Sequence, residues 1–193
     1  MNIKEAVEKL VPNALYRENL YIENNRLPDI TKEDYEEVEW LDDRDKPTWE
    51  ELVHSCFLLL KERKAREIDN YRDYRLSKNV PYTFPGEIEG HVQIRDEKDF
   101  RNIISNLSEA QIKISNEDTS KISFRDYENR IHELTPQEIV DMGLTVISNI
   151  RAVHEESWRH KNIIKDFEMD ENNPEESYQE LENYNIQEEW KEE

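Results

Sequence analysis

The sequence predicts an α+β protein that is mostly helical, with two long helices, one medium helix, two short β-hairpins and an acidic C-terminal tail. Three observations carry this expectation. Apolar residues make up 35% of the chain against 37% charged, so buried surface is scarce, and thin helical stripes use it better than a large sandwich or barrel. Apolar residues recur at spacings of three and four through two long stretches, 48–78 and 135–167. Between these stretches lie two short runs in which apolar and polar residues alternate around turn-forming residues.

Residues 2–10 fit a short helix with Ile3, Ala6, Val7 and Leu10 on one face, stopped by Pro12. Leu20 to Ile30 reads as an extended piece. Thr31-Lys-Glu-Asp34 caps a helical turn, Val38 and Trp40 alternate as in a short strand, and LDDRDKP is a loop. Thr48-Trp-Glu-Glu51 is a capping box that opens the first long helix. Trp49, Leu52, Val53, Cys56, Phe57 and Leu60 form its buried face, which thins to Ala65, Ile68, Tyr71 and Leu76 before Pro81. Tyr82 to Arg95 reads as a hairpin, with Phe84, Ile88, Val92 and Ile94 as apolar positions and Gly86 and Gly90 giving turn freedom. Asp96 is placed to cap a helix over 97–113, with Phe100, Ile103, Ile104, Leu107, Ala110 and Ile112 or Ile114 on its apolar side. ISFRDYENRIHEL reads as a second hairpin, with Ile122 and Phe124 before a DYEN turn and Ile131 after it. Thr135-Pro-Gln-Glu138 then opens the second long helix, combining a capping Thr, Pro at the first helical position and Glu at the third. Its stripe is Ile139, Gly143, Val146, Ile150, Val153, Ser157, His160, Ile164 and Phe167. At 1.5 Å per residue this helix is roughly 48 Å long, and a stripe of that length asks for partners along all of it.

The organisation expected is a lead-in segment over 1–46, a helical domain over 47–167 and an acidic tail over 168–193. The formal net charge of the whole chain is −20. From Asp166 onward there are twelve Asp and Glu against one Lys, so about half of the excess sits on the last 28 residues. Tyr178, Tyr184 and Trp190 are spread through this segment. Two readings stand: a disordered solubilising tail, or an aromatic-bearing segment that docks on a partner or back onto the body.

Composition also excludes classes. Three glycines, with neither a dinucleotide-binding GxGxxG nor a phosphate-binding GxxxxGK motif, argue against nucleotide enzymes. A charge of −20 argues against free nucleic acid as a ligand. The lone Cys56, within CFLLL, reads as a reduced core residue. The N-terminus lacks a signal-peptide hydrophobic region, and the longest apolar run is five residues, so no membrane span is expected. No metal or cofactor site is expected either: His154 and His160 are six apart and share no helical face as ligands, HExxH is absent, and His91 near Asp96 and Glu97 reads as a hairpin residue rather than a catalytic base. The candidate binding surface is a basic-aromatic patch, RKAREIDNYRDYRLSK, in which Arg66, Tyr71, Arg72, Tyr74 and Arg75 are expected to meet carboxylates of this chain or of another subunit. Tyr178, Tyr184 and Trp190 are candidate partner contacts beside them.

The segment GEIEGHVQIRDEKDFRNI, with Gly90, Asp96, Asp99 and Ile103, is followed by Phe124 and by Leu134, Thr135, Glu138 and Ile139. Over about residues 58–167 this order resembles a small phage domain of unknown function found in tail-fibre and tail-assembly proteins. The preceding YEEVEWLDDRDKPTWEEL is similar to lead-ins that phage tail genes place before it. The resemblance implies a setting and carries over no catalytic residue. It motivates the expectation of a non-enzymatic phage structural or tail-assembly protein. Such a protein would associate with other tail or virion proteins and with itself, in the host cytoplasm during assembly or in the virion. The alternative that the charge suggests is an acidic DNA mimic that inhibits a host nucleic-acid-binding or defence enzyme.

Overall fold

The computed structural model describes residues 3–17 and 31–191. Its elements run α1 (Ile3–Leu10), β1 (Tyr16–Arg17), α2 (Lys32–Glu36), β2 (Glu39–Trp40), α3 (Trp49–Leu76), β3 (Val80–Phe84), β4 (Ile88–Val92), α4 (Glu97–Ser115), β5 (Ile122–Arg125), β6 (Ile131–Leu134), α5 (Pro136–Asp166) and α6 (Pro174–Asn183). The class is α+β and mostly helical. Among the described residues the strands form three antiparallel pairs, β1 with β2, β3 with β4 and β5 with β6. The first, with Tyr16 opposite Trp40 and Arg17 opposite Glu39, has only one strand foreshadowed in the sequence. The extended piece expected at 20–30 lies outside the described residues.

Side chains that satisfy orphan backbone groups set the helix starts. Thr31 and Asp34 form a reciprocal capping box on α2. Thr48 and Glu51 do the same on α3, through bonds of 2.8 and 3.1 Å. Asp96 accepts from the Asp99 amide at 2.9 Å to start α4. On α5 the Thr135 amide donates to Glu138 at 2.7 Å, and the Glu138 amide to the Thr135 hydroxyl at 3.3 Å. The far end of α5 is closed by Lys61, whose Nζ donates to the carbonyls of Lys165 and Phe167 at 2.8 and 2.7 Å, where a cation also meets the negative end of the helix dipole.

The chain divides into two compact units, Met1–Ile68 with His160–Trp190, and Asp69–Arg159 with Lys191–Glu193. The first buries Ala6, Val7, Tyr35, Trp49, Leu52, Val53, Cys56, Phe57, Leu60 and Ile68 from the N-terminal half, and Ile164, Tyr178, Leu181, Ile186 and Trp190 from the other. The acidic segment is therefore folded back onto its own unit through its apolar residues. The second unit has one core, which draws Val80, Phe84, Val92 and Ile94 from the first hairpin, Ile103, Leu107 and Ala110 from α4, Ile122, Phe124 and Leu134 from the second hairpin, and Ile139, Met142 and Val146 from α5.

Several apolar residues expected inside are outside. Ile88 and Ile131 are exposed, and so are Phe100, Ile104, Ile112 and Ile114 on α4 and Leu10 on α1. The reason on β6 is parity. Successive strand residues face opposite sides, so Ile131 cannot share a face with Leu134, and the inward pair is His132 and Leu134. Gly86 does turn the first hairpin, at φ +82°, followed by Glu87 at +60°. Gly90 turns nothing: it lies within β4 opposite Tyr82.

Candidate functional site

The most elaborate polar structure in the second unit grows from the turn of the β5–β6 hairpin. The Asp126 amide donates to the Arg130 carbonyl at 3.0 Å and the Asn129 amide to the Asp126 carbonyl at 3.1 Å. Asn129 adopts φ +62°, the left-handed conformation that a three-residue hairpin loop requires at its end and that Asn tolerates. The turn brings the Arg130 side chain back over Asp126. Asp126 Oδ1 accepts from the Arg130 amide and Oδ2 from Arg130 Nε, each at 2.8 Å. His132, two residues along β6, places Nε2 at 2.8 Å from the same Oδ2. An ionised carboxylate only accepts, so Nε2 carries the proton. The imidazole is stacked flat on Phe84, with ring centres 3.9 Å apart at 8°. The Asp126 side chain is fully buried.

The same residues tie this hairpin to the first. Arg130 Nη2 donates to the Glu89 carbonyl at 2.7 Å. Glu128 receives the His91 amide at 3.2 Å and lies 2.6 Å from His91 Nδ1, and the Tyr127 amide donates to the His91 carbonyl at 2.9 Å. His91 thus pairs with Glu128; Asp96 is a helix cap and not its partner. Gly90 leaves room for this meeting: a Cβ there would displace the end of the Arg130 side chain and lie 3.1 and 3.2 Å from Phe84 and Asp126 Oδ2. Burial pushes the Asp126 carboxyl up, but the hydrogen bonds from His132 and Arg130 outweigh it and hold it below the usual carboxylate range. Glu128 is also held low, chiefly by the bond to His91.

Chemically, the arrangement holds residues in place. Both Asp126 oxygens are engaged by Arg130 and His132 and sealed from solvent. Among the described residues, no group of three or more His, Cys, Asp or Glu could hold a metal ion. Exposed beside the network are Tyr127 at 49%, Ile131 at 60% and Ile88 at 40%, with the half-exposed Arg130 guanidinium and His91 imidazole. The Tyr127 ring stands edge-on to His91, with centres 6.4 Å apart.

The residues singled out from sequence fall elsewhere. Arg66 is exposed on the part of α3 that belongs to the first unit. In the second unit, Tyr71 and the exposed Tyr74 stack at 5.9 Å, Lys78 Nζ sits 4.2 Å above the Tyr74 ring, and Arg72 grips Asp69 and Asp73; Arg75 is half-buried on the same turn. Within the first unit the beginning of the patch meets the acidic segment: Arg63 Nη2 bonds Glu182 at 3.2 Å and Lys64 Nζ donates to the Tyr184 carbonyl at 2.8 Å. Tyr178 and Trp190 are buried in their own unit. There Trp190 stacks on the fully buried His160, with centres 5.1 Å apart, and the Tyr184 hydroxyl lies 2.6 Å from His160 Nδ1. Sequence reasoning missed Asp126, Tyr127 and Arg130. The available signal was the Asp and Arg four apart across a recognised turn.

The family model described as Domain of unknown function (DUF4376) matches residues 60–182. That span is well over half of the chain, and the chain belongs to this family. The match continues through most of α6, so the family's pattern includes the helical part of the acidic segment and does not end at 167 as the sequence motifs suggested. No curated protein and no solved structure matches the chain.

Proposed function

We propose that this chain is a non-enzymatic phage structural or tail-assembly protein: a virion or tail component, or a tail-fibre chaperone. It acts by binding other tail or virion proteins, in the host cytoplasm during assembly or in the particle itself. One observation carries the binding half of this reading. In a chain so poor in apolar residues, Ile88, Tyr127 and Ile131 are held outward around a fully engaged polar network. Aromatic and Arg side chains on a preorganised frame are the usual anchors of protein interfaces. The phage setting rests on the motif resemblance alone.

The test is co-purification of the full chain with the products of neighbouring genes, together with mass spectrometry of purified virions. The expected result is recovery in tail complexes or particles, lost when Tyr127 and Ile131 are both changed to Ser in a variant that keeps its melting temperature. Absence from both complexes and particles would overturn the proposal.

A further inference from the structure

α5 carries a second apolar stripe, separate from the one that anticipated it in the sequence. Within the second unit its buried side is Ile139, Met142, Val146, Val153 and Ser157. Leu144, Ile147 and Trp158 nevertheless point outward, at 57%, 38% and 59% exposure. With Arg151 and the half-buried His154 they sit at 144, 147, 151, 154 and 158. That alternation of three and four is the seam by which one helix packs along another.

We infer that this seam seats a second copy of the chain, with the two α5 helices antiparallel about a two-fold axis. The inference rests on the reading above that the protein works through protein contacts, and it names one partner and one surface. Two observations select a copy of the same chain. From Leu144 to Arg159 there are two Arg and two Glu, so this face is neutral on a chain of net charge −20; two copies can meet here without opposing like charges. The seam is also self-complementary in one register. Antiparallel pairing that sets Ile147 against Trp158 of the second copy also sets Arg151 against His154 and Glu155 of that copy, and by symmetry does so twice. Sliding one heptad in one direction places Arg151 over Ile147, and sliding in the other places it over Lys161, so the central register alone joins Ile147 to Trp158 and Arg151 to His154 and Glu155, with Leu144 at the edge of the seam beside Lys161. In the single chain Arg151 and Glu155 already pair at 2.7 Å on the exposed face, and the second copy exchanges that bond for two across the seam. The seam spans about 20 Å, and the association is therefore concentration-dependent.

Native mass spectrometry and sedimentation of the full chain test this. Wild type is expected to dimerise. Ile147→Arg should weaken the dimer at least tenfold with unchanged circular dichroism. Arg151→Glu and Glu155→Arg should each weaken self-association at least tenfold, because each sets like charges across the seam. Mixed together, those two variants should form a heterodimer of near wild-type affinity, which a bond within one helix cannot explain. A wild-type monomer at every concentration would overturn the inference. So would a dimer indifferent to Ile147→Arg, or a variant mixture that stays monomeric. A monomer that still enters tail complexes would leave the proposed function standing, which separates the two failures.

Discussion

At the scale of single residues, Asp126 shows how a charge can be buried in a chain with little core. Its carboxylate is removed from water, yet it receives two bonds from Arg130 and one from His132. Breaking such a site leaves partners uncompensated, which costs more than the site contributes when intact. Asp126→Ala should therefore destabilise the protein by about 3 kcal/mol, and Asp126→Asn, which still accepts hydrogen bonds, by less. Urea denaturation followed by circular dichroism checks the order; equal stability of Asp126→Ala and wild type would show that the network has no structural role. Cys56 offers a second check at this scale. Burial pushes its thiol up to about 11, and a thiol both buried and protonated does not react. Iodoacetamide at pH 8 should leave Cys56 unmodified in the native protein and alkylate it once urea unfolds the chain.

At the scale of elements, Gly143 decides how α4 meets α5. A Cβ at this position would lie 2.5 to 2.7 Å from three side-chain atoms of Leu107. Gly inside a helix ordinarily costs about 1 kcal/mol relative to Ala, so Gly143→Ala should stabilise an isolated α5. In the folded protein it should destabilise by about 1–3 kcal/mol through overpacking, and adding Leu107→Ala should recover part of the loss. Additive effects in that double mutant would mean the two helices do not meet there. The helices were legible because their signals are local: Thr48, Asp96 and Thr135 each place a cap within one residue of the observed start. The candidate surface was not legible, because it depends on two hairpins meeting. Nothing near His91 in sequence points to Glu128, and Ile131 looks like core until strand parity is known; Ile88 shares the parity of the buried Val92 and is exposed at the hairpin end, beside the turn at Gly86 and Glu87. The acidic segment was ambiguous for a similar reason. Its Tyr178, Leu181, Ile186 and Trp190 acquire meaning only beside His160, Arg63 and Lys64. Removing residues 168–193 should therefore lower the melting temperature, so that deletion cannot serve as a clean test of an electrostatic role for the segment.

At the scale of the molecule, two electrostatic effects of opposite sign govern stability in acid. The long-range effect is the charge of −20, whose self-repulsion disfavours the compact state and is relieved as carboxylates take up protons. The short-range effect is local. Asp34, Glu50 and Asp170 in the first unit, and Asp96, Asp118, Asp126 and Glu128 in the second, are all held below their ordinary values of 3.8 to 4.5, Asp118 at about 2, by caps, turns and ion pairs. A group whose folded pKa is depressed contributes stability that is complete above its unfolded pKa and lost as pH falls through its folded pKa. Lowering the pH from 7 to about 5 reduces the net negative charge while the depressed groups stay ionised, so stability should hold or rise over that range. Below about pH 4.5 the depressed groups dominate, and the melting temperature should fall steeply towards pH 2. Salt distinguishes the two effects, since it screens distant charges and leaves buried or hydrogen-bonded pairs largely intact. In 0.5 M salt the rise above pH 5 should flatten while the acid fall persists. Calorimetry across pH at two ionic strengths measures both limbs, and an acid fall that salt abolished would place the cause in net charge rather than in these named carboxylates.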